Sequence, residues 1–103
     1  MLYLDKENHK EIEKLRNEID ILDQELVKLL NNRIRYAVHL GEVKRKLNLP
    51  VYMPEREKEV IENVLIHNPG PLSDDAIKRL YKRIIDESRR MEREHSESNR
   101  NKK

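Results

Sequence analysis

Apolar residues recur at alternating steps of three and four through the stretch from Ile12 to Leu47. The repeating positions are Ile12, Leu15, Ile19, Leu22, Leu26, Leu29, Arg33, Tyr36, Leu40, Val43 and Leu47. A heptad pattern sustained over about five repeats predicts one long helix with a stripe that faces a partner. Asn8, with Glu11 three residues later, fits an N-cap; the alternative is that the helix begins a few residues earlier. Asn48 and Pro50 predict the end of the helix.

The length of this helix predicts a dimer. At 1.5 Å per residue it would extend about 54 Å, whereas a compact domain of about 100 residues has a radius of gyration near 13 Å. The rest of the chain is too short to cover the stripe, and no Pro within it predicts a sharp bend. We therefore expect two copies of the chain to share the stripe.

Two further helices follow from the pattern. Pro54 suits the first turn of a short helix, and the segment from His67 to Pro71 breaks that helix. Ser73 is a natural N-cap for a third, medium-length helix with its own apolar stripe. We predict an all-α chain with a loose segment at residues 1–7, one helical domain at 8–94 and a disordered polar tail at 95–103.

Composition narrows the functional classes. Charged residues make up 41% of the 103 residues and apolar residues 36%, so the core is small and sharing it between subunits is favoured. The absence of Cys fits a reducing compartment, and the sequence shows no signal peptide or transmembrane stretch, so we expect a cytoplasmic protein. Basic and acidic residues interleave to a net charge of +2, which predicts neither nucleic-acid nor membrane binding.

Two cations stand out on the long helix. Arg33 occupies a position in the apolar stripe, where a guanidinium is costly unless it meets an anion. Lys44 follows eleven residues later, close to three full turns, so both side chains point the same way about 16 Å apart. Together they could clamp a small polyanion. The alternatives are that Arg33 extends its head past its neighbours to water and that Lys44 is simply solvated.

The other two helices carry polar residues that could reach the same place. Arg56 and Glu57 open the second helix, and Ser88 and Glu92 lie one turn apart on the third. Each has a simpler interpretation. Arg56 and Glu57 could form an exposed first-turn pair, Ser88 could bond to its own backbone, and Glu92 could face solvent at a frayed end.

Taken together, these motifs resemble the all-helical (type II) class of chorismate mutase over roughly residues 12–94. They are L-R-x-x-I-D-x-L-D at 15–23, L-L-x-x-R at 29–33, A-x-x-x-G-x-x-K at 37–44, P-V-x-x-P-E-R-E at 50–57 and I-I-D-E-S-x-x-x-E at 84–92. The resemblance implies an intertwined homodimer and the Claisen rearrangement of chorismate to prephenate in phenylalanine and tyrosine biosynthesis. It implies no cofactor, metal or covalent intermediate.

The resemblance also implies which residues bind the two carboxylates of chorismate. Arg33 and Arg16 would pair with them, since bidentate Arg–carboxylate pairs suit this task. Arg16 lies about 42 Å from Lys44 along one straight helix, and the resemblance implies that it enters the site from the other chain. Arg56 and Ser88 would complete the anion-binding shell.

Around the reacting bond, the resemblance implies that Lys44 donates to the ether oxygen and Glu92 faces that oxygen from the opposite side. Glu57 would accept from the ring hydroxyl. Two positions depart from some family members. Met53 stands where some have Asp beside the ring hydroxyl, so the backbone there or Glu57 alone must accept. Glu92 stands where some have Gln, and only a protonated Glu can donate to an oxyanion, so we expect Glu92 to have a raised pKa.

Two other functions compete with this one. Isochorismate pyruvate-lyases resemble the same class and use a similar cationic pocket, but the P-E-R-E motif and Glu92 look more mutase-like. A non-catalytic regulatory helical dimer is the second alternative. Such a dimer would tolerate Arg33→Leu, whereas an enzyme would lose activity while staying folded.

Overall fold

The computed structural model describes residues 2–101, and the side chains of residues 6–98. Within that part the chain is all-helical and has no strand. Its three helices are α1 at Leu2–Lys46, α2 at Pro54–Ile66 and α3 at Asp74–Asn101, with 45, 13 and 28 residues. The predicted all-α class, with one long, one short and one medium helix, is confirmed.

The chain divides after Arg33 into two units. The described part of the N-terminal unit is all α1, and its apolar stripe is exposed, from 44% at Ile12 to 65% at Leu29. The C-terminal unit contains the end of α1, all of α2 and all of α3, and α2 packs along α3. Its most buried side chains, Ile85 and Ser88, both lie on α3, so this helix carries the small core of the unit.

The predicted helix ends between α1 and α3 are confirmed. Asn48, two residues after the end of α1, adopts the left-handed conformation with a φ of 57°, and the Leu49 amide donates to the Lys44 carbonyl at 2.8 Å. Pro54 begins α2, where its missing amide proton costs no hydrogen bond. The Ser73 hydroxyl accepts from the Ala76 amide at 3.1 Å and caps α3.

The outer ends of α1 and α3 differ from the sequence prediction. Asn8 lies inside α1, which begins at Leu2, so the N-cap predicted at Asn8 is wrong, and α3 continues to Asn101. Met1, Lys102 and Lys103 lie outside the described residues. No Pro or Gly interrupts either end, and each added residue gains a helical hydrogen bond once a helix is nucleated. The boundaries therefore move outward.

Asn68 organises the turn between α2 and α3. Its side-chain amide donates to the Leu72 carbonyl at 2.9 Å and to the Asp74 carboxylate at 3.1 Å, and its side-chain oxygen accepts from the Gly70 amide at 3.1 Å. Gly70 has a φ of 71°, which glycine adopts without a steric penalty. These contacts fix where α3 begins after α2 ends.

Candidate active site

Glu92 packs against the α1 backbone at Gly41. A Cβ placed on Gly41 would lie 3.6 Å from the Glu92 Cγ and 3.7 Å from its Oε2. Gly41 is buried and Glu92 half-buried. The glycine predicted as part of the α1 motif thus gives the Glu92 carboxyl room to approach α1 closely.

Glu42, the next residue on α1, contacts α3 one turn beyond Glu92. The His95 Nε2 bonds to the Glu42 Oε1, and the His39 Nδ1 lies 3.8 Å from the Glu42 Oε2. The hydrogen bond with His95 holds the pKa of the Glu42 carboxyl below its ordinary value, and the positive charges of His95, His39 and Lys46 act in the same direction. Partial desolvation opposes them. This pair joins the ends of α1 and α3 beside Glu92.

Glu57, at the start of α2, is bound by an α3 guanidinium. The Arg89 Nη2 donates to the Glu57 Oε2, and the Arg89 guanidinium carbon lies 3.9 Å from the centre of the Tyr52 ring. The side chains of Arg89 and Glu57 are 33% and 28% exposed. Because a carboxylate fixes one edge of the guanidinium and an aromatic ring covers one face, the orientation of Arg89 is well defined.

A cavity of about 550 Å³ opens between the end of α1, the following loop and α3. Its lining includes Arg45, Tyr52, Arg89, Glu92, Arg93 and Glu97. The volume is within the range of small-molecule sites. Three guanidinium groups beside the Glu92 carboxyl suit a polar, anionic small molecule.

The structure brings only some of the predicted site residues to this cavity. Glu92 lines it, and Glu57 is connected to it through Arg89. Arg56 is exposed and pairs with Glu59 at 3.3 Å, as in the simpler interpretation of the α2 start. Ser88 is 5% exposed, and its hydroxyl donates to the Ile84 carbonyl at 3.0 Å.

The remaining predicted residues lie on α1. Lys44 is half-buried in the C-terminal unit. Arg33 is half-buried and is the last residue of the N-terminal unit, and Arg16 is exposed within that unit. Lys44 thus belongs to the C-terminal unit, and Arg16 and Arg33 belong to the N-terminal unit.

Sequence reasoning missed Arg89, Tyr52, Arg45 and Arg93. Arg89 and Glu57 are 32 residues apart, so no helical periodicity connects them. A further Arg on a charged helix such as α3 is ordinarily solvated, and composition gives no reason to single it out. The sequence offers one indication that Arg89 could lie near the site, because it directly follows the predicted site residue Ser88.

The described residues include neither a metal-binding cluster nor a membrane-spanning helix. No group of three or more His, Cys, Asp or Glu side chains in the described part of the chain is arranged to hold a metal ion. Between residues 2 and 101, every helix is too short or too polar to cross a bilayer.

The fold and site define an all-helical chain with a polar, cation-rich cavity at the junction of its helices. Residues 15–93 match the model of the chorismate mutase type II family. The chain belongs to this family, so the predicted family is confirmed, and the match supports the mutase interpretation over the lyase and regulatory alternatives.

Individual proteins agree with this assignment. Over 80 residues, the chain is 41% identical to the bifunctional chorismate mutase/prephenate dehydratase of Aquifex aeolicus, an alignment that covers 74% of this chain and 22% of that protein. Over 94 residues, it is 24% identical to the chorismate mutase of Methanocaldococcus jannaschii, covering 90% and 95% of the two chains. The chain thus spans about a fifth of the bifunctional relative and nearly all of the second.

Solved structures give the same result. The structure of chorismate mutase (form II) from Thermus thermophilus superimposes with a TM-score of 0.77 at 36% sequence identity. The superposition covers 80% of this chain and 93% of that chain. The chain therefore shares its fold with a known chorismate mutase structure.

Proposed function

We propose that this chain catalyses the rearrangement of chorismate to prephenate in phenylalanine and tyrosine biosynthesis in the cytoplasm. The observation that carries the proposal is the family match over residues 15–93, which spans every predicted site residue from Arg16 to Glu92. The reaction is a unimolecular Claisen rearrangement, in which one C–O bond breaks as one C–C bond forms. The enzyme must hold the substrate in a folded geometry and stabilise charge on the ether oxygen.

Binding of the two substrate carboxylates is assigned to Arg33 and to Arg16 of the partner subunit. Each guanidinium can form two parallel hydrogen bonds with a carboxylate, which fixes position as well as charge. Arg56 and Ser88 complete the anion-binding shell. The Ser88 hydroxyl donates to the Ile84 carbonyl and can also accept a hydrogen bond, and the Arg56 guanidinium, which pairs with Glu59, has further N–H groups that can donate.

Stabilisation of the ether oxygen is assigned to Lys44 and Glu92. Lys44 donates from its ammonium group, and Glu92, in protonated form, donates from the other side. The position of Glu92 supports this role, because its carboxyl is packed on Gly41 and lines the cavity. A fixed donor aimed at developing charge loses little free energy to reorganisation during the reaction.

The ring hydroxyl is assigned to Glu57 rather than to the backbone at Met53. The Met53 carbonyl already accepts from the Arg56 amide at 3.0 Å and from the Glu57 amide at 3.4 Å, in the first turn of α2. Both of its lone pairs are thereby engaged. Glu57 is therefore the acceptor that compensates for the Met side chain.

The working form is proposed to be an intertwined homodimer formed through the α1 stripe. Leu15, Ile19, Leu22 and Leu26 are each between 53% and 58% exposed in the single chain. A row of large apolar side chains at heptad spacing is typical of a helix–helix interface. A second copy supplies the same stripe and brings Arg16 to the site.

The test is the turnover of chorismate by the purified chain. We expect loss of chorismate absorbance with prephenate as the identified product, and a decrease in kcat/KM of at least about 100-fold in Arg33→Ala. Lys78→Ala is the matched control, because Lys78 is an exposed cation on α3 outside the proposed site, and it should retain wild-type activity.

Three results would count against the proposal. Absence of turnover by the folded wild-type dimer would overturn it, and turnover of isochorismate instead would favour the lyase. Full activity in Arg33→Ala would remove Arg33 from the site. Circular dichroism of each variant separates loss of activity from loss of fold.

A further inference from the structure

Arg89 makes well-defined contacts between α3 and the start of α2, and the proposed mechanism gives it no role. Its guanidinium donates to the Glu57 Oε2 and lies over the Tyr52 ring. The contact with Glu57 uses one carboxylate oxygen, Oε2. A carboxylate accepts hydrogen bonds at both of its oxygens, so the pair combines a fixed carboxylate with a second oxygen, Oε1, that can accept from a ligand.

We propose that Arg89 is a positioning residue for Glu57. It holds the carboxylate through Oε2 so that Oε1 is presented to the ring hydroxyl of the substrate. This inference rests on the proposed function, because it assigns a task to Glu57 in that reaction. The orientation of Glu57 matters because Met53 has no side-chain oxygen that could accept from the ring hydroxyl. The backbone carbonyl of Met53 already accepts from two amides of α2.

Tyr52 contributes to the same arrangement from the loop before α2. Its ring covers one face of the guanidinium, so Arg89 is held on a face by Tyr52 and on an edge by Glu57. A cation over an aromatic face is attracted by the ring quadrupole. The two contacts together restrict the rotation of Arg89 and, through it, of Glu57.

Arg89 also lines the cavity, so a direct contact with substrate is the competing interpretation. A double-mutant cycle separates the two, using kcat and KM for Arg89→Met, Glu57→Gln and the double variant. The Gln amide oxygen can still accept a hydrogen bond, so the activity of Glu57→Gln remains measurable. We expect Arg89→Met to lower kcat/KM about tenfold or more.

If Arg89 acts through Glu57, the double variant is no less active than Glu57→Gln alone, within about twofold. If Arg89 contacts the substrate itself, the two losses multiply, and the inference is overturned. A second result would also overturn the inference: Arg89→Met has a lower unfolding midpoint than the wild type, and its kcat/KM returns to the wild-type value at a temperature where the variant is fully folded. That result would indicate a purely structural role for Arg89.

Arg90→Met is the matched control. Arg90 is the next residue on α3, is exposed and pairs with Glu94 at 3.2 Å, so the same change removes one cation away from Glu57. It should leave kcat and KM unchanged. An inactive wild-type chain would overturn the proposed function and this inference with it, whereas an active wild type with multiplying losses would overturn the inference alone.

Discussion

Glu92 is the residue whose protonation decides the proposed chemistry. A carboxylate beside the ether oxygen would repel the charge that develops there, whereas a carboxylic acid donates a hydrogen bond to it. In Glu92→Gln, the amide donates at every pH. We therefore expect wild-type kcat/KM to decrease as rising pH deprotonates Glu92, and the variant to keep its activity over that range. The measurement is kcat/KM against pH for both proteins.

Glu94→Gln is the matched control for this prediction. Glu94 lies on the same helix, is 55% exposed and pairs with Arg90, so the substitution removes one acid without touching the cavity. Its pH profile should match that of the wild type. The same alkaline loss in Glu92→Gln as in the wild type would contradict the assigned role of Glu92.

The Glu42–His95 pair predicts a pH-dependent stability. The pKa of Glu42 is lowered from 4.5, chiefly by the hydrogen bond with His95. A carboxyl with a lowered pKa in the folded state stabilises the protein above its unfolded pKa, and this contribution is lost as pH falls through the folded pKa. The charge attraction also requires protonated His95. We expect Glu42→Gln to lower the unfolding midpoint slightly at mildly acidic pH and to have no effect in strong acid.

Thermal unfolding of the wild type and Glu42→Gln at several pH values checks this. Glu59→Gln is a suitable control, because Glu59 is an exposed carboxylate whose partner, Arg56, stays charged at every pH used. A difference between wild type and Glu42→Gln that persists unchanged in strong acid, where the carboxyl is protonated in both the folded and the unfolded state, would be incompatible with the lowered pKa of Glu42.

Single residues were predictable from sequence where their role is local. Asn48, Pro54 and Ser73 act on backbone groups within five residues, and turn and capping preferences encode such contacts. Arg89 was not predictable, because its partner Glu57 lies 32 residues away. The roles of the predicted site residues came from motif resemblance rather than from periodicity, and they stay predictions.

At the scale of elements, Gly41 sets how closely Glu92 approaches α1. A Cβ at residue 41 would lie 3.6 Å or more from Glu92 atoms, which is ordinary van der Waals contact. Alanine also costs less backbone entropy than glycine in a helix. We expect Gly41→Ala to fold, to gain about 0.5–1 kcal/mol in unfolding free energy and to keep kcat/KM within a few-fold.

Gly41→Val tests the same contact with a larger side chain, which we expect to disturb Glu92. Valine adds two methyl groups to a Cβ that already lies 3.6 Å from the Glu92 Cγ and 3.7 Å from its Oε2, so we expect the carboxyl to be displaced. Activity should decrease about tenfold or more, with helix content retained. Thermal unfolding, circular dichroism and kcat/KM of the two variants check both predictions. Equal activity in Gly41→Ala and Gly41→Val would show that the position of Glu92 on Gly41 is unimportant.

The existence of the three helices was predictable, but their outer ends were not. The apolar period and the breakers between residues 47 and 54 and between 67 and 73 fix the inner ends of all three. At residues 2–7 and 95–101 there is neither an apolar stripe nor a breaker, so sequence pattern gives no signal for a boundary. The sequence pattern marks Asn68 only as part of a helix break, whereas the structure shows that its side chain organises the turn before α3.

At the scale of the whole molecule, the apolar stripe of α1 is exposed to solvent in the single chain, and this exposure leaves its hydrophobic stabilisation unrealised. Ile12, Leu15, Ile19, Leu22, Leu26 and Leu29 are all at least 44% exposed in the single chain. Covering apolar area stabilises by about 25 cal/mol per Å². The same heptad pattern that predicted a long helix also predicted its partner, because the stripe repeats every seven residues.

Leu22→Glu is expected to separate the proposed dimer. Leu22 lies on the stripe and is 58% exposed in the single chain, and a carboxylate buried there in the proposed interface would be desolvated without a partner charge. Gln24→Glu introduces the same charge two residues later, outside the stripe, and is the matched control. Light scattering should give a dimer for the wild type and Gln24→Glu, and a monomer for Leu22→Glu. The same variant also tests whether the site is shared between subunits. Since Arg16 of the partner subunit is assigned to the site, the Leu22→Glu monomer should lose chorismate turnover, and this loss of turnover should diminish at high protein concentration. A fully active Leu22→Glu monomer would show that one chain holds a complete site and that Arg16 is not shared.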